Sequence, residues 1–208
     1  MSYLEYTVKT VPTGLRKILF FNWPLAILLT AIAALGVLQL YSVAGGSFTP
    51  WASPQIKRFI LGFLLMVMVG MLPIWFWRSV SSLAYLCALG LLLFVEFFGA
   101  VGMGAKRWID LGFINLQPSE VMKITLIMAI ASYYDWLPLE KTSKIIWVIL
   151  PAAIILLPAA LVLRQPDLGT AILLTLGGAV VMFLAGVHWA YFITMITAGI
   201  GLISIVFQ

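Results

Sequence analysis

Long apolar runs separated by short polar punctuation dominate the chain. Residues 23–41, 56–72 and 80–98 form three such runs, and 118–134, 145–163, 168–186 and 191–207 form four more. A helix rises about 1.5 Å per residue, so runs of this length match the hydrocarbon thickness of a bilayer. The pattern predicts an all-α, polytopic transmembrane helix bundle of about seven spans. Residues 1–21 read as a mixed polar tail and 22–208 as the embedded domain.

The punctuation is chemically specific. Pro24 is tolerated in an opening helical turn, and Gly45, Gly46, Pro50 and Pro54 mark the first loop as residues 44–54. Pro73 stops the second run, and Arg78 precedes the third. Residues 99–117 form a longer polar segment that ends at Pro118, a favoured first helical position. A charged loop at 135–144 precedes the fifth run, which Pro151 and Pro158 are expected to bend. Arg164, Gln165, Pro166 and Asp167 interrupt the chain before the sixth, and His188 and Trp189 mark the last boundary. All eight tryptophans fall at these boundaries, where an amphipathic ring prefers to sit at headgroup level.

Composition agrees. Of 208 residues, 63% are hydrophobic and 9% charged, and the mean hydropathy is +1.13. A soluble domain carries about 25% charged residues, so a water-soluble enzyme, a secreted disulfide scaffold and a disordered tail are all excluded. The lone Cys87 forms no intramolecular disulfide and reads as a small buried hydrophobe. The net charge of +5 is scattered, with no basic run suited to nucleic acid. With the N-terminus inside, six cations lie on the inner side and five on the outer. The three ahead of the first span, Lys9, Arg16 and Lys17, therefore set a cytoplasmic N-terminus. Lys57, Arg58, Lys106, Arg107 and Arg164 then make the outer loops basic enough to meet an anionic partner.

Ionisable residues inside the runs are few. Glu120 and Lys123 lie three apart, on one helical face, and each costs roughly 2.5–3.5 kcal/mol at mid-membrane unless it faces protein, water or its neighbour. They fit either a structural ion pair or a pair beneath a substrate cavity. Glu96 reads as a snorkelling or bundle-facing acid, and the single His188 is no metal site. Two outer segments hold the densest polar chemistry. In the first, Lys106 and Arg107 offer donors suited to phosphate and Trp108 a stacking face, although an interfacial loop with a basic anchor would look the same. In the second, Pro166 favours an extended Gln165, and Asp167 stands where an N-cap would open the sixth helix.

The stretch GAKRWIDLGFINLQPSEVMKI carries a G-x-x-R-W-x-x-L-G…Q-P-S-E-x-x-K pattern, and RQPDLGT follows at 164–170. Together they resemble the SEDS family (shape, elongation, division and sporulation) of bacterial membrane glycosyltransferases, with RQPDLGT nearest its RodA branch. The resemblance implies a peptidoglycan polymerase that joins disaccharide units of lipid II, a polyprenyl-pyrophosphate-linked precursor. It implies work at the outer face of the cytoplasmic membrane, in cell-wall elongation and cell shape, beside a class B penicillin-binding protein that supplies the transpeptidase. Lys106, Arg107, Trp108, Gln117, Ser119, Glu120, Lys123, Arg164, Gln165 and Asp167 are the implied substrate-binding set. Within it Glu120 and Lys123 are expected to line a cavity, and Arg107 to face substrate. A divalent cation is left open for the full-length family member. The family's proposed catalytic aspartate lies in an outer loop after the seventh span, where this sequence stops, so no residue here inherits that role. The expectation is an N-terminal portion that is inactive alone. Two other readings stay open, a flippase or transporter for a lipid-linked precursor and a non-catalytic scaffold for a transpeptidase.

Overall fold

The computed structural model describes residues 14–102, 105–110 and 115–194, without the side chains of 14–16 and 100–106. Six long helices follow in order: α1 (Trp23–Val43), α2 (Ala52–Met71), α3 (Ile74–Phe98), α4 (Pro118–Trp136), α5 (Ile145–Arg164) and α6 (Leu168–Leu184). Residues 189–194 are again helical, and the rest of the seventh expected span lies outside the described residues. Among the described residues, α1, α2, α3 and α5 are long and apolar enough to cross a membrane. Helix α4 spans 19 residues and carries Glu120, Lys123 and Asp135, and α6 spans 17. The all-α class and the multi-pass membrane character stand.

Three features differ from the sequence reading. Helix α2 opens at Ala52, not 56, and takes Pro54 into its first turn, where an N–H would have no intrahelical partner anyway. Helix α3 opens at Ile74 directly after Pro73, so Trp75, Trp77 and Arg78 lie in the helix and not in a loop. Arg78 is tolerated there because its guanidinium meets Asp135 of α4 at 2.8 Å. The third difference lies within residues 99–117, read only as a polar segment, where the described residues form short antiparallel strands: β1 (Ala100–Gly102), β2 (Ala105–Asp110) and β3 (Asn115–Leu116), in the order β1-β2-β3.

The chain divides into two compact units, residues 1–74 and 75–208. In the first, α1 and α2 follow one another through a turn in which Gly45 and Gly46 take left-handed φ values of 65° and 87°, a conformation open to glycine without steric cost. Asn22 caps α1 by accepting from the Leu25 N–H. Residues 14–20, read as part of a mixed polar tail, wind into a 3₁₀ turn, and Lys17 Nζ donates to the Met71 carbonyl at the end of α2. A cation on a terminal helical carbonyl answers both an orphan acceptor and the helix dipole. Only Ala26 and Ala52 are buried along α1 and α2.

The core belongs to the second unit, where Leu92 of α3, Met122, Leu126 and Ile130 of α4, Ile155 of α5, and Leu174 and Met182 of α6 are fully buried. Gly178 of α6 permits this approach. A Cβ there would come within 2.5 Å of Ile155 Cγ1 and 3.3 Å of Ile130 Cδ1. Cys87 is exposed, not buried. It shares an exposed side of α3 with Leu83 and Leu86, so its apolar run does not place it in the core.

Helix α5 runs unbroken through Pro151 and Pro158, both fully buried. Each proline withholds an N–H from the carbonyl four residues earlier. Those carbonyls belong to Trp147 and Ile154. Tyr133 of α4 donates its hydroxyl to the Trp147 carbonyl at 3.0 Å, and Tyr85 of α3 donates to the Ile154 carbonyl at 2.9 Å. Interhelical hydrogen bonds of this kind contribute about 0.6–1.7 kcal/mol in a membrane. Tyr85→Phe is therefore expected to lower stability by about that amount. In a Pro158→Ala background, which restores the missing N–H, the same change is expected to lose most of its effect. Equilibrium unfolding of the four variants checks this, and equal losses in both backgrounds would refute it.

Candidate functional site

The polar chemistry gathers where the small sheet meets the ends of α5 and α4. In β1–β2 the register pairs Ala100 with Trp108, Val101 with Lys106 and Gly102 with Ala105, with an irregularity between Ala100 and Val101. Strand β2 then pairs Ile109 with Leu116 and Asp110 with Asn115. Side chains alternate along a strand, so Arg107 points to the opposite face from Trp108. Trp108 is half-buried in mid-strand, unlike the other seven tryptophans, which lie at or beside helix ends. The Lys106 side chain falls outside the described residues.

Arg107 reaches the turn between α5 and α6. Its Nε donates to the Gln165 carbonyl at 2.8 Å, and Nη2 donates to the Pro166 carbonyl at 2.7 Å. Its Nη1 lies 3.9 Å from Asp167 Oδ2. A planar fork of donors is the side chain best suited to grip two adjacent carbonyls and a carboxylate together. The guanidinium expected to face substrate thus gives two of its five N–H groups to its own protein.

The turn is built to receive it. Gln165 ends α5 with φ −85° and ψ 25°, which corrects the extended conformation expected before a proline. Its N–H and that of Asp167 both turn back to the Val162 carbonyl, at 3.1 and 3.3 Å, and this closing of the helix end outweighs the local preference. The Gln165 side chain is buried, with Nε2 3.5 Å from the Leu92 carbonyl of α3. Asp167 caps α6 as expected. Its Oδ1 accepts from the Thr170 N–H at 3.1 Å and its Oδ2 from the Thr170 hydroxyl at 2.9 Å. Arg164, the last residue of α5, is exposed.

The opening of α4 holds the remaining candidates. Gln117 is extended ahead of Pro118, and its carbonyl accepts from the Glu120 N–H. Ser119 is buried at 2% exposure. Lys123 Nζ donates to Glu120 Oε1 at 2.8 Å, with the side chains 29% and 55% exposed. Glu96 is half-buried on α3. His188 is exposed and its Nδ1 accepts from the Ala190 N–H. Among the described residues, no group of three His, Cys, Asp or Glu side chains is placed to hold a metal ion.

The structure therefore brings Arg107, Gln165 and Asp167 into one corner, and pairs Glu120 with Lys123. Among the described residues, no hydrogen bond or ion pair joins the side chains of Trp108, Gln117, Ser119 and Arg164 to this corner or to one another. Sequence reasoning missed the Pro166 carbonyl as a partner and Thr170 as the second half of the cap. The D-x-x-T spacing at 167–170 was the available signal for the latter.

A family model described as "Cell cycle protein", for FtsW, RodA and SpoVE, matches residues 17–208, and the chain belongs to this family. The peptidoglycan glycosyltransferase MrdB of Escherichia coli K12 is 32% identical over 163 residues, which are 78% of this chain and 43% of that protein. A probable peptidoglycan glycosyltransferase FtsW of E. coli O6:H1 is 38% identical over 141 residues, 68% of this chain and 34% of that protein. The crystal structure of the Thermus thermophilus rod shape determining protein RodA superimposes with a TM-score of 0.73 at 31% identity, covering 85% of this chain and 57% of RodA. A structure of a peptidoglycan synthase complex gives 0.75 at 31% identity, over 88% of this chain and 53% of its own. The chain thus spans less than half the length of these two curated relatives.

Charge-assisted hydrogen bonds contribute about 1.5–3 kcal/mol each. Arg107→Ala is expected to weaken the α5–α6 corner by about 2–3 kcal/mol, and Arg107→Lys to recover less than half, because an ammonium lacks the fork. Faster amide hydrogen exchange at Asp167 and Ala171 is the readout, and unchanged exchange would refute the clamp. For the half-exposed Glu120–Lys123 pair, a double-mutant cycle with Glu120→Gln and Lys123→Met is expected to give a coupling of about 0.5–1 kcal/mol. Zero coupling would refute a stabilising pair.

Proposed function

We propose that this chain carries part of the substrate-binding framework of a RodA-like peptidoglycan polymerase, which transfers glycosyl units from lipid II in cell-wall elongation and cell shape. Family membership and the glycosyltransferase names of MrdB and FtsW support the reaction class. The observation that carries the site is the Arg107 clamp, which makes one corner out of two sequence segments 58 residues apart. Glycosyl transfer needs a base for the acceptor hydroxyl and a cationic setting for the departing pyrophosphate. In this reading exposed Arg164, with Lys106 and Lys123, supplies the cationic setting, while Glu120 orients Lys123. Arg107, Gln165 and Asp167 hold the corner's shape, Gln117 and Ser119 set the opening of α4, and Trp108 offers an apolar face to the sugar.

The same reading places residues 1–21 in the cytoplasm, 22–208 in the bacterial cytoplasmic membrane, and the corner on its outer side. A class B penicillin-binding protein is the proposed transpeptidase partner, which fits the polymerization and crosslinking named for the similar synthase complex.

The test is a chimera in which residues 17–208 replace the matching segment of E. coli MrdB, assayed with purified lipid II. Glycan polymer is expected, with a loss of about tenfold or more on Arg164→Ala, from the removal of a charge-assisted contact. A chimera that inserts normally yet forms no polymer, or one indifferent to Arg164, would overturn the reading.

A further inference from the structure

The first compact unit has an unusual charge inventory. Residues 14–74 contain Arg16, Lys17, Lys57 and Arg58 but no Asp or Glu. Lys17 is engaged with the Met71 carbonyl. Lys57 and Arg58 are exposed on α2 and make no ion pair among the described residues. Arg58 lies about 9 Å along the axis from the start of α2, near enough to the helix end to reach headgroup level, where an anion would pair with its charge.

A groove of about 380 Å³ opens beside it within the α1–α2 unit. Gln55 and Arg58, one turn apart on α2, form its polar end. Phe59, Phe63 and Met66 continue down the same helical stripe, and Leu29 of α1 joins them. The Phe59 and Phe63 rings lie 5.9 Å apart. From Gln55 to Met66 the stripe covers about 17 Å of helix axis. Gly62 sits between the two phenylalanines, and a Cβ there would meet nothing within 4 Å, so the wall is open.

Such a groove, cationic at headgroup depth and apolar toward the membrane interior, has the polarity of a single amphiphile. An extended peptide is a poor occupant, because its backbone N–H groups would be unsatisfied at that depth. We propose that the α1–α2 groove is a binding site for an anionic glycerophospholipid. The phosphate is held by Arg58 and Gln55, and an acyl chain lies along Phe59, Phe63 and Met66. The absence of Asp and Glu from residues 14–74 favours an anionic headgroup over a zwitterionic one, and the proposal does not rest on the glycosyltransferase reading.

The test is native mass spectrometry of the 208-residue chain, delipidated in mild detergent and titrated with dioleoyl phosphatidylglycerol, dioleoyl phosphatidylcholine or undecaprenyl phosphate. Phosphatidylglycerol is expected to bind about fivefold more tightly than phosphatidylcholine, the gain one cation near a headgroup supplies. Arg58→Gln is expected to erase that preference and Lys57→Gln, whose side chain lies off the groove, to preserve it. Gly62→Leu, which fills the groove and leaves Arg58 in place, is expected to weaken both phospholipids. The proposal is overturned by equal binding of the two phospholipids, by equal losses from Arg58→Gln and Lys57→Gln, or by unchanged binding in Gly62→Leu. Displacement of phosphatidylglycerol by equimolar undecaprenyl phosphate would also overturn it, since the groove would then select a prenyl chain.

Discussion

Two backbone carbonyls set much of the architecture of the second unit. Pro151 and Pro158 leave the carbonyls of Trp147 and Ile154 without their helical donors, and both prolines are fully buried. In a medium without water an unsatisfied carbonyl is expensive, so donors must come from other helices. Tyr133 and Tyr85 supply them. Those two bonds fix the height of α5 against α4 and α3, because a hydroxyl at the end of a rigid ring reaches one carbonyl and not the next. The close contact of Gly178 with Ile155 then brings α6 against the same helix. Hydrophobic matching alone does not choose such a register in lipid, since the bilayer is as apolar as the helix faces.

The same requirement for satisfied polar groups governs the corner where α5 turns into α6. There the chain leaves helical geometry, and the carbonyls of Gln165 and Pro166 receive the Arg107 fork instead of a helical N–H. This changes what the arginine means. An arginine in a polar loop is easily assigned to a ligand alone, yet two of the five N–H groups of this one hold two segments together. Arg164, one residue before the turn and exposed, has the freedom that Arg107 lacks.

Much of this was legible in the sequence where a single physical rule was strong enough to act alone. Run length and tryptophan placement located the helices, the side chain of Asp167 announced a cap, and the three-residue spacing of Glu120 and Lys123 announced a pair. What stayed hidden depended on partners distant in the chain. Arg78 looked like a loop residue until Asp135, 57 positions on, supplied its counter-ion within a helix. The segment 99–117 showed only as polar because its strands are too short to display a period of two. Gln165 looked extended from its proline alone, and only the Val162 carbonyl, accepting two N–H groups, explains its actual conformation. The prolines of α5 were read as bends, while their effect on hydrogen bonding needed Tyr85 and Tyr133 to be seen beside them.

The order of those residues along the chain has its own consequence. Synthesis runs from the N-terminus, and Tyr85 and Tyr133 both precede Pro151. By the time α5 leaves the ribosome, the helices bearing its two donors have already been made. The helix least able to satisfy its own backbone is therefore the last of the three to arrive, and it meets finished partners. Reversing that order would oblige a proline-broken helix to wait in the bilayer with two bare carbonyls.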